Sequence, residues 1–220
     1  MEVGALRLEF VRGLYLGAEA EISLCRWLGL NVVVKRRRSK GYRAKELDRN
    51  IIAARTVHEA SALSRARSVG VRTPFVLHVN PAEGVIIMEY VEGRTISECA
   101  SELPLGELEP IFTLIGNSVA LLHGNNIIHG DPTASNMILR GREVYIVDFG
   151  LASYASGIEQ MGEDLYVFCM ALRSAHHTRS ARLFRSFVSG YERGLGGRSS
   201  AVLGRLEEIS KRGRYVERIG

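Results

Sequence analysis

His129, Asp131 and Asn136 stand in the chain as H-x-D-x-x-x-x-N, and Asp148-Phe149-Gly150 follows with its Asp 12 residues after the Asn. Each of these residue types suits one task in moving a phosphoryl group. An Asp can accept or orient the proton of an attacking hydroxyl, while an Asn and a second Asp offer a neutral and an anionic oxygen to magnesium ions that bridge nucleotide phosphates. The Gly, Pro, Thr and Ser between them are also what a surface turn uses. Order and spacing, with an apolar pair on either side of the first segment, favour a catalytic loop and a metal-binding turn over two unrelated turns. Asp131 is the candidate catalytic Asp, and Asn136 and Asp148 are the candidate metal ligands.

Such a loop needs partners upstream. Val32-Val33-Val34-Lys35 resembles the strand whose lysine binds the α and β phosphates of ATP, and Glu59 lies on a helix expected to supply the ion-pair partner. Without the downstream motifs, a solvated strand end and an exposed helix charge would explain both equally. Gly17-Ala18-Glu19-Ala20 stands where a phosphate-covering loop is needed, with one glycine in place of three. The amides of Gly17 and Ala18 are its candidate donors, and Glu19 adds an anion that repels phosphates. Met88-Glu89-Tyr90-Val91 resembles a hinge whose backbone, at Glu89 and Val91, pairs with adenine, with Ile138 beneath the ring. Gly130 occupies the place where signalling enzymes of this kind commonly carry an arginine that reads a loop phosphate. Only 16 residues separate Asp148 from Asp164, where a helix is expected to begin, and no A-P-E follows. Little room remains for a peptide-docking activation segment.

The elements that must hold these residues divide by periodicity. LRLEFV, EISLCRWL and NVVVKR read as strands of an antiparallel meander with turns at Gly13, Gly17 and Gly29. From about Leu47 to Ser68 the spacing becomes helical, with Ile51, Ala54, Val57, Ala60, Leu63 and Ala66 as the apolar face. FVLHV and GVIIMEY add two strands around Asn80-Pro81. Beyond Gly93 helices are expected over about 106–123, 159–175, 178–192 and 199–211, with short strands at IIHGD, NMIL and VYIVDFG. The order predicts a single α+β domain: a small β-rich lobe at 1–88 with one helix, a hinge at 89–93, a reduced helical lobe at 94–210 and a basic tail at 211–220.

Composition sets outer bounds. With 220 residues, 46% of them apolar, the chain has enough apolar content for a packed core. No uninterrupted apolar run approaches the ~20 residues of a membrane span, and a cytoplasmic location is expected. Cys25, Cys99 and Cys169 are too few and too scattered for a disulfide framework or a four-ligand zinc site. The net charge of +5 gathers in two runs, Lys35, Arg36, Arg37, Arg38, Lys40 and Arg43, then Lys211, Arg212, Arg214 and Arg218. Either run suits phosphates, and either suits a solvated surface.

Taken together, GAEA at 17–20, VVKRRRSKGYR at 33–43, ELD at 46–48, HEASALSRAR at 58–67, MEYVEG at 88–93, HGDPTASNMIL at 129–139, VDFGLAS at 147–153, DLYV at 164–167 and KRGR at 211–214 resemble the small atypical kinase of the KEOPS (EKC) complex, the p53-related protein kinase family, in its archaeal single-domain form. The resemblance spans nearly the whole chain. It implies a bilobal protein-kinase-like fold that binds ATP and Mg2+, phosphorylates serine or threonine, and acts as an ATPase. It also implies work inside a complex that installs threonylcarbamoyladenosine at position 37 of tRNAs reading ANN codons, with the catalytic threonylcarbamoyl-transferase subunit and a small regulatory subunit as partners. Carried over by position, Lys35 and Glu59 form the ion pair, Asp131 is the catalytic Asp, and Asn136 and Asp148 hold the metal. Arg36, Arg37, Arg38, Lys40, Lys211, Arg212 and Arg214 become tRNA candidates. The chain departs from the family pattern at Pro132, Ala134 and His58, and at IEQMGED before Leu165. Two competing readings are a small-molecule phosphotransferase, against which the 70 residues after Gly150 provide little scaffold, and a noncatalytic assembly module, against which the intact Lys35, Asp131, Asn136 and Asp148 argue.

Overall fold

A computed structural model describes residues 1–216 of the chain, with side chains as far as Arg212. The chain divides into two compact units: Met1–Arg65 with Pro74–Glu92, and Ala66–Thr73 with Gly93 onward.

The first unit opens with a small hairpin, β1 (Glu2–Val3) and β2 (Leu6–Arg7), and continues as β3 (Glu9–Leu16), β4 (Ala20–Trp27), β5 (Leu30–Arg37), helix α1 (Lys45–Ser68), β6 (Val76–Asn80) and β7 (Val85–Glu89). The last three residues of α1 fall in the second unit. Strands β3 to β7 make one antiparallel sheet in the order β3-β4-β5-β7-β6. Val32 and Val34 of β5 join Cys25, Val85 and Ile87 under Val3 and Leu8 of the N-terminal segment, so one sheet face is closed by that hairpin. Alternation along β5 turns Lys35 and Arg37 to the opposite face, where both reach α1.

Three expectations differ from the structure. The run LRLEFV is not one strand but the end of the hairpin and the start of β3, and Gly13 lies inside β3 beside a register shift rather than at a turn. A bulge accommodates the glycine without ending the strand. On α1, Ala54 and Val57 face outward, and the buried residues are Asp48, Thr56, Glu59, Ala60, Ala62, Leu63 and Ala66. Three of these are polar, which hydrophobic periodicity cannot register; the Thr56 hydroxyl is satisfied within the helix by the Ile52 carbonyl at 2.7 Å.

The second unit runs β8 (Arg94–Thr95), α2 (Ile96–Glu102), α3 (Leu105–Gly124), β9 (Ile127–Ile128), a 3₁₀ turn at Ala134–Asn136, β10 (Met137–Arg140), β11 (Glu143–Ile146), β12 (Ser153–Tyr154), α4 (Ile158–Ala175), α5 (His177–Leu195) and α6 (Ser199–Val216). Helix α2 was not expected from periodicity. It is started by a capping box, with the Thr95 side chain accepting from the Glu98 amide and Glu98 from the Thr95 amide. Helix α4 begins at Ile158, within one residue of the expected 159–175 and six residues before Asp164, so Asp164 lies inside the helix and not at its start.

Helix α3 is, by length and composition alone, long and apolar enough to cross a membrane. In the fold it is a core helix whose Leu108, Phe112, Ile115, Val119 and Leu122 are buried. It packs on α5 with backbone against backbone. A Cβ at Gly116 would lie 1.9 Å from the Phe187 carbonyl oxygen, and one at Gly190 would lie 1.9 Å from that of Thr113.

Candidate active site

In the first unit, Lys35 Nζ donates to Glu59 Oε1 at 2.6 Å, with both side chains almost fully buried. Arg37 Nη2 donates to the other oxygen, Glu59 Oε2, at 2.5 Å. The expected ion pair is therefore a buried triad, and Arg37, expected to meet RNA, is turned inward. Strand alternation separates it from Arg36, which pairs with Glu83 at 3.2 Å.

The Gly17–Ala20 link is a tight turn in which the Gly17 amide donates to the Ala20 carbonyl at 3.0 Å. In this conformation that amide is not a phosphate donor. Lys40 Nζ reaches the Ala18 carbonyl at 2.7 Å and Glu19 at 3.2 Å, and Arg55 reaches Glu19 at 2.7 Å. These two cations, Lys40 foremost, hold the Glu19 carboxyl below the usual carboxylate range. The anion expected to repel phosphates is thus neutralised by its neighbours. Asp48 fastens the loop that follows β5, accepting from the Ser39 hydroxyl at 2.6 Å and the Lys40 amide at 3.1 Å. At the expected hinge, the Glu89 amide donates to the Phe75 carbonyl at 2.8 Å, and Val91 is buried.

In the second unit, the segment between β9 and β10 brings Asp131 and Asn136 together. Asn136 Nδ2 donates to the Asp131 carboxylate at 2.8 Å and to its carbonyl at 3.0 Å. The amide nitrogen is committed, which turns Asn136 Oδ1 into the end left for a cation. Asp148 follows β11 with φ of +61°, a left-handed conformation that costs of order 1 kcal/mol or more outside glycine. Its carboxylate is exposed, and Oδ1 accepts from the Gly150 amide at 3.3 Å. Phe149 is fully buried, its ring 4.6 Å from that of His129. An amide oxygen and a carboxylate are hard donors of the kind Mg2+ takes, and Mg2+ is commonly held by one or two carboxylates with phosphates completing its shell. Among the described residues no group of three or more His, Cys, Asp or Glu is present to form an all-protein cage.

What fixes this loop is a buried carboxylate that sequence reasoning did not assign. Asp164, only 2% exposed, accepts the His129 amide at 2.7 Å, the Gly130 amide at 2.8 Å and His123 Nε2 at 3.2 Å. Tyr191 closes the network at His123 Nδ1, 2.8 Å away. Burial pushes the Tyr191 phenol up, so it remains a neutral hydroxyl beside the His123 ring. His129 donates from Nε2 to the Val147 carbonyl at 3.1 Å and accepts the Asp131 amide on Nδ1 at 3.3 Å. That neutral tautomer agrees with burial, which pulls its pKa below the ordinary histidine value against the opposing field of Asp164. The signal for Asp164 was its helix phase: it shares the buried face of Met161, Leu165, Phe168 and Leu172.

Gly130 has φ of +84°, and a Cβ there would lie 2.3 Å from the Leu151 carbonyl oxygen. The missing arginine is therefore a steric consequence of this loop. Gly93 is likewise required, a Cβ there lying 2.3 Å from the Leu139 carbonyl oxygen.

Residues 31–160 match the RIO domain family. The KEOPS complex subunit Bud32 of Pyrococcus abyssi is 38% identical over 92% of this chain and 95% of its own length, and the probable serine/threonine-protein kinase BUD32 homolog of Archaeoglobus fulgidus is 41% identical over 93% and 97%. The chain belongs to the Bud32 family of RIO-domain proteins. A longer relative, the probable bifunctional tRNA threonylcarbamoyladenosine biosynthesis protein of Methanothermobacter thermautotrophicus, is 36% identical over 91% of this chain, which spans 36% of that protein. In fold, the chain resembles the Rio2 kinase-ADP/Mg2+-phosphoaspartate complex from Chaetomium thermophilum with a TM-score of 0.64 at 12% identity, covering 94% of this chain and 72% of that one. The α+β, kinase-like fold expected from the sequence is the fold observed. In this Bud32-family chain the departures at 158–164 are also accounted for. Glu159 pairs with Arg205 of α6, and Gly162 admits the Arg205 side chain, whose Cγ lies 2.9 Å from where a Cβ would be.

Of the remaining RNA candidates, Arg38 is exposed with Nη1 3.3 Å from the Gly17 carbonyl, and Lys211 and Arg212 are exposed on α6. The Arg214 side chain, and Arg218, lie outside the described residues.

Proposed function

We propose that this Bud32-family chain binds Mg-ATP and transfers its terminal phosphoryl group to serine or threonine, or to water, as the kinase and ATPase subunit of a KEOPS complex. Lys35, positioned by Glu59, holds the α and β phosphates. Asp131 orients the attacking hydroxyl or water through its carboxylate, which Asn136 Nδ2 steadies from 2.8 Å. Asn136 Oδ1 and Asp148 hold Mg2+, which when bound neutralises charge at the phosphates. The backbone at Glu89 and Val91 meets adenine with Ile138 beneath it, and the Ala18 amide is the phosphate donor left in its turn. The observation that carries this reading is the loop whose backbone Asp164 anchors at His129 and Gly130, beside Asp131, with Asn136 Nδ2 bonded to Asp131. Such rigidity is what positioning catalysis requires. The short segment after Asp148 argues against control by loop phosphorylation and for control by partners.

The name of the longer relative, which contains a segment like this chain, supports a role in threonylcarbamoyladenosine formation on tRNA; the partners proposed for that role are a catalytic transferase subunit and a small regulatory subunit, and the proposed location is the cytoplasm. The proposed RNA contacts narrow to Arg38 and the α6 end, since Arg36 and Lys40 already serve Glu83 and Glu19 and Arg37 is buried. The test is turnover of γ-labelled ATP by the purified chain, alone and with the transferase subunit and tRNA, resolving released phosphate from phosphoprotein. Turnover that rises with both added components supports the assignment. Absence of turnover in every mixture contradicts it.

A further inference from the structure

Glu59 is shared by two cations. Lys35 and Arg37 take one carboxylate oxygen each, at 2.6 and 2.5 Å, and the side-chain exposures of Lys35, Arg37 and Glu59 are 8%, 7% and 1%. Arg37 is tied down independently of Lys35: its amide donates to the Gly84 carbonyl at 2.9 Å, and Nη2 also reaches the Arg55 carbonyl of α1 at 3.2 Å. Its Nε is buried without a hydrogen-bond partner. The three side chains place two cations on one carboxylate, so Glu59 keeps a cationic partner when either of them is drawn elsewhere.

A simple buried lysine–glutamate pair has an inherent conflict when the lysine must also hold a phosphate. Each increment of attachment to the phosphate weakens its hold on a carboxylate that cannot be left alone in low dielectric. We propose that Arg37 is a positioning residue that resolves this conflict, keeping Glu59 neutralised and in place so that the Lys35 ammonium can be shared with the nucleotide phosphates. This rests on the nucleotide reading above. Arg37 acts through Glu59 and does not touch the nucleotide.

The full-length chain tests this by calorimetric titration with Mg-ADP, comparing wild type, Arg37→Met, Arg37→Lys, Glu59→Gln and the Arg37→Met/Glu59→Gln double variant, each first shown folded by a thermal melt. Arg37→Met should weaken binding about tenfold, as for a charge coupled to its neighbour, and Arg37→Lys should recover most of the loss. In the Glu59→Gln background, where no carboxylate remains to be neutralised, adding Arg37→Met should leave affinity unchanged. Unaltered affinity in Arg37→Met overturns the proposal. So does an equal loss in both backgrounds, which would mark a direct phosphate contact or general loosening. If Arg37→Met alone fails to fold, the comparison within the Glu59→Gln background decides, and any loss of affinity there overturns the proposal. Failure of the wild type to bind Mg-ADP removes the nucleotide reading itself.

Discussion

Asp164 and Gly130 carry constraints that act through the backbone of the catalytic loop. Removing the Asp164 carboxylate leaves the amides of His129 and Gly130 without their acceptor, at a cost of about 1–3 kcal/mol for the buried His129 amide and less for the half-buried Gly130 amide. Asp164→Ala should lower the melting temperature and cut ATP turnover roughly a hundredfold, whereas a merely structural carboxylate would change the melt with kcat intact. Gly130→Arg should not install a phosphate-reading switch; it should destabilise the second unit, because the backbone is left-handed and Leu151 blocks any Cβ. A melt of the variant, with phosphorylation-independent loss of turnover, checks this. His129 sets a pH window. Its folded pKa lies below the ordinary ~6.5, so protonation favours the unfolded chain. The stability it supplies is complete above that pH and falls below it, by up to about 1.4 kcal/mol per pH unit until the folded pKa is reached. His176, held low by burial and Arg179, adds in the same direction. Denaturant midpoints should therefore drop between pH 7.5 and 5.5, and a flat profile would contradict a neutral buried His129.

At the scale of elements, what the sequence made legible depended on which interaction set each one. The long helices α1, α3, α4 and α5 and the strands β4, β5 and β7 were readable because apolar burial dominates them. Helix α2, seven residues long and started by a capping box, has too little apolar periodicity to be seen that way. The phase of α1 was misread because Glu59 and Thr56 occupy its buried stripe. The same polar residue that carries the candidate chemistry hid the face that presents it. The run Lys35 to Arg38 looked like one basic patch, but the twofold period of a strand sends alternate members to opposite faces. The α3–α5 packing was illegible, since nothing in a lone Gly116 or Gly190 announces a helix crossing. Gly116→Ala or Gly190→Ala should destabilise the chain by about 1–3 kcal/mol through overpacking against a carbonyl that cannot retreat. Chemical denaturation measures this, with alanine at the solvent-facing Gly204 of α6, which has no neighbour within 4 Å, as the comparison expected to stabilise by roughly 0.5–1 kcal/mol through helix propensity alone.

For the whole molecule, family membership accounts for the fold, and charge distribution bears on the proposed partner. Net charge +5 overstates what is free for a polyanion, because Arg37 and Lys40 are committed within the first unit. Truncation from Lys211 should therefore weaken tRNA binding and reduce its salt slope by about one unit for every phosphate that the removed cations had neutralised. Identical binding at two ionic strengths would remove the α6 end from the RNA surface. The central claim is that Asp131 and Asp148 serve phosphoryl transfer. It is tested most directly by measuring Mg-ATP turnover in Asp131→Ala and Asp148→Ala beside their melting temperatures. Both variants should fold with turnover reduced by roughly a hundredfold or more; turnover equal to wild type in either folded variant would contradict that role.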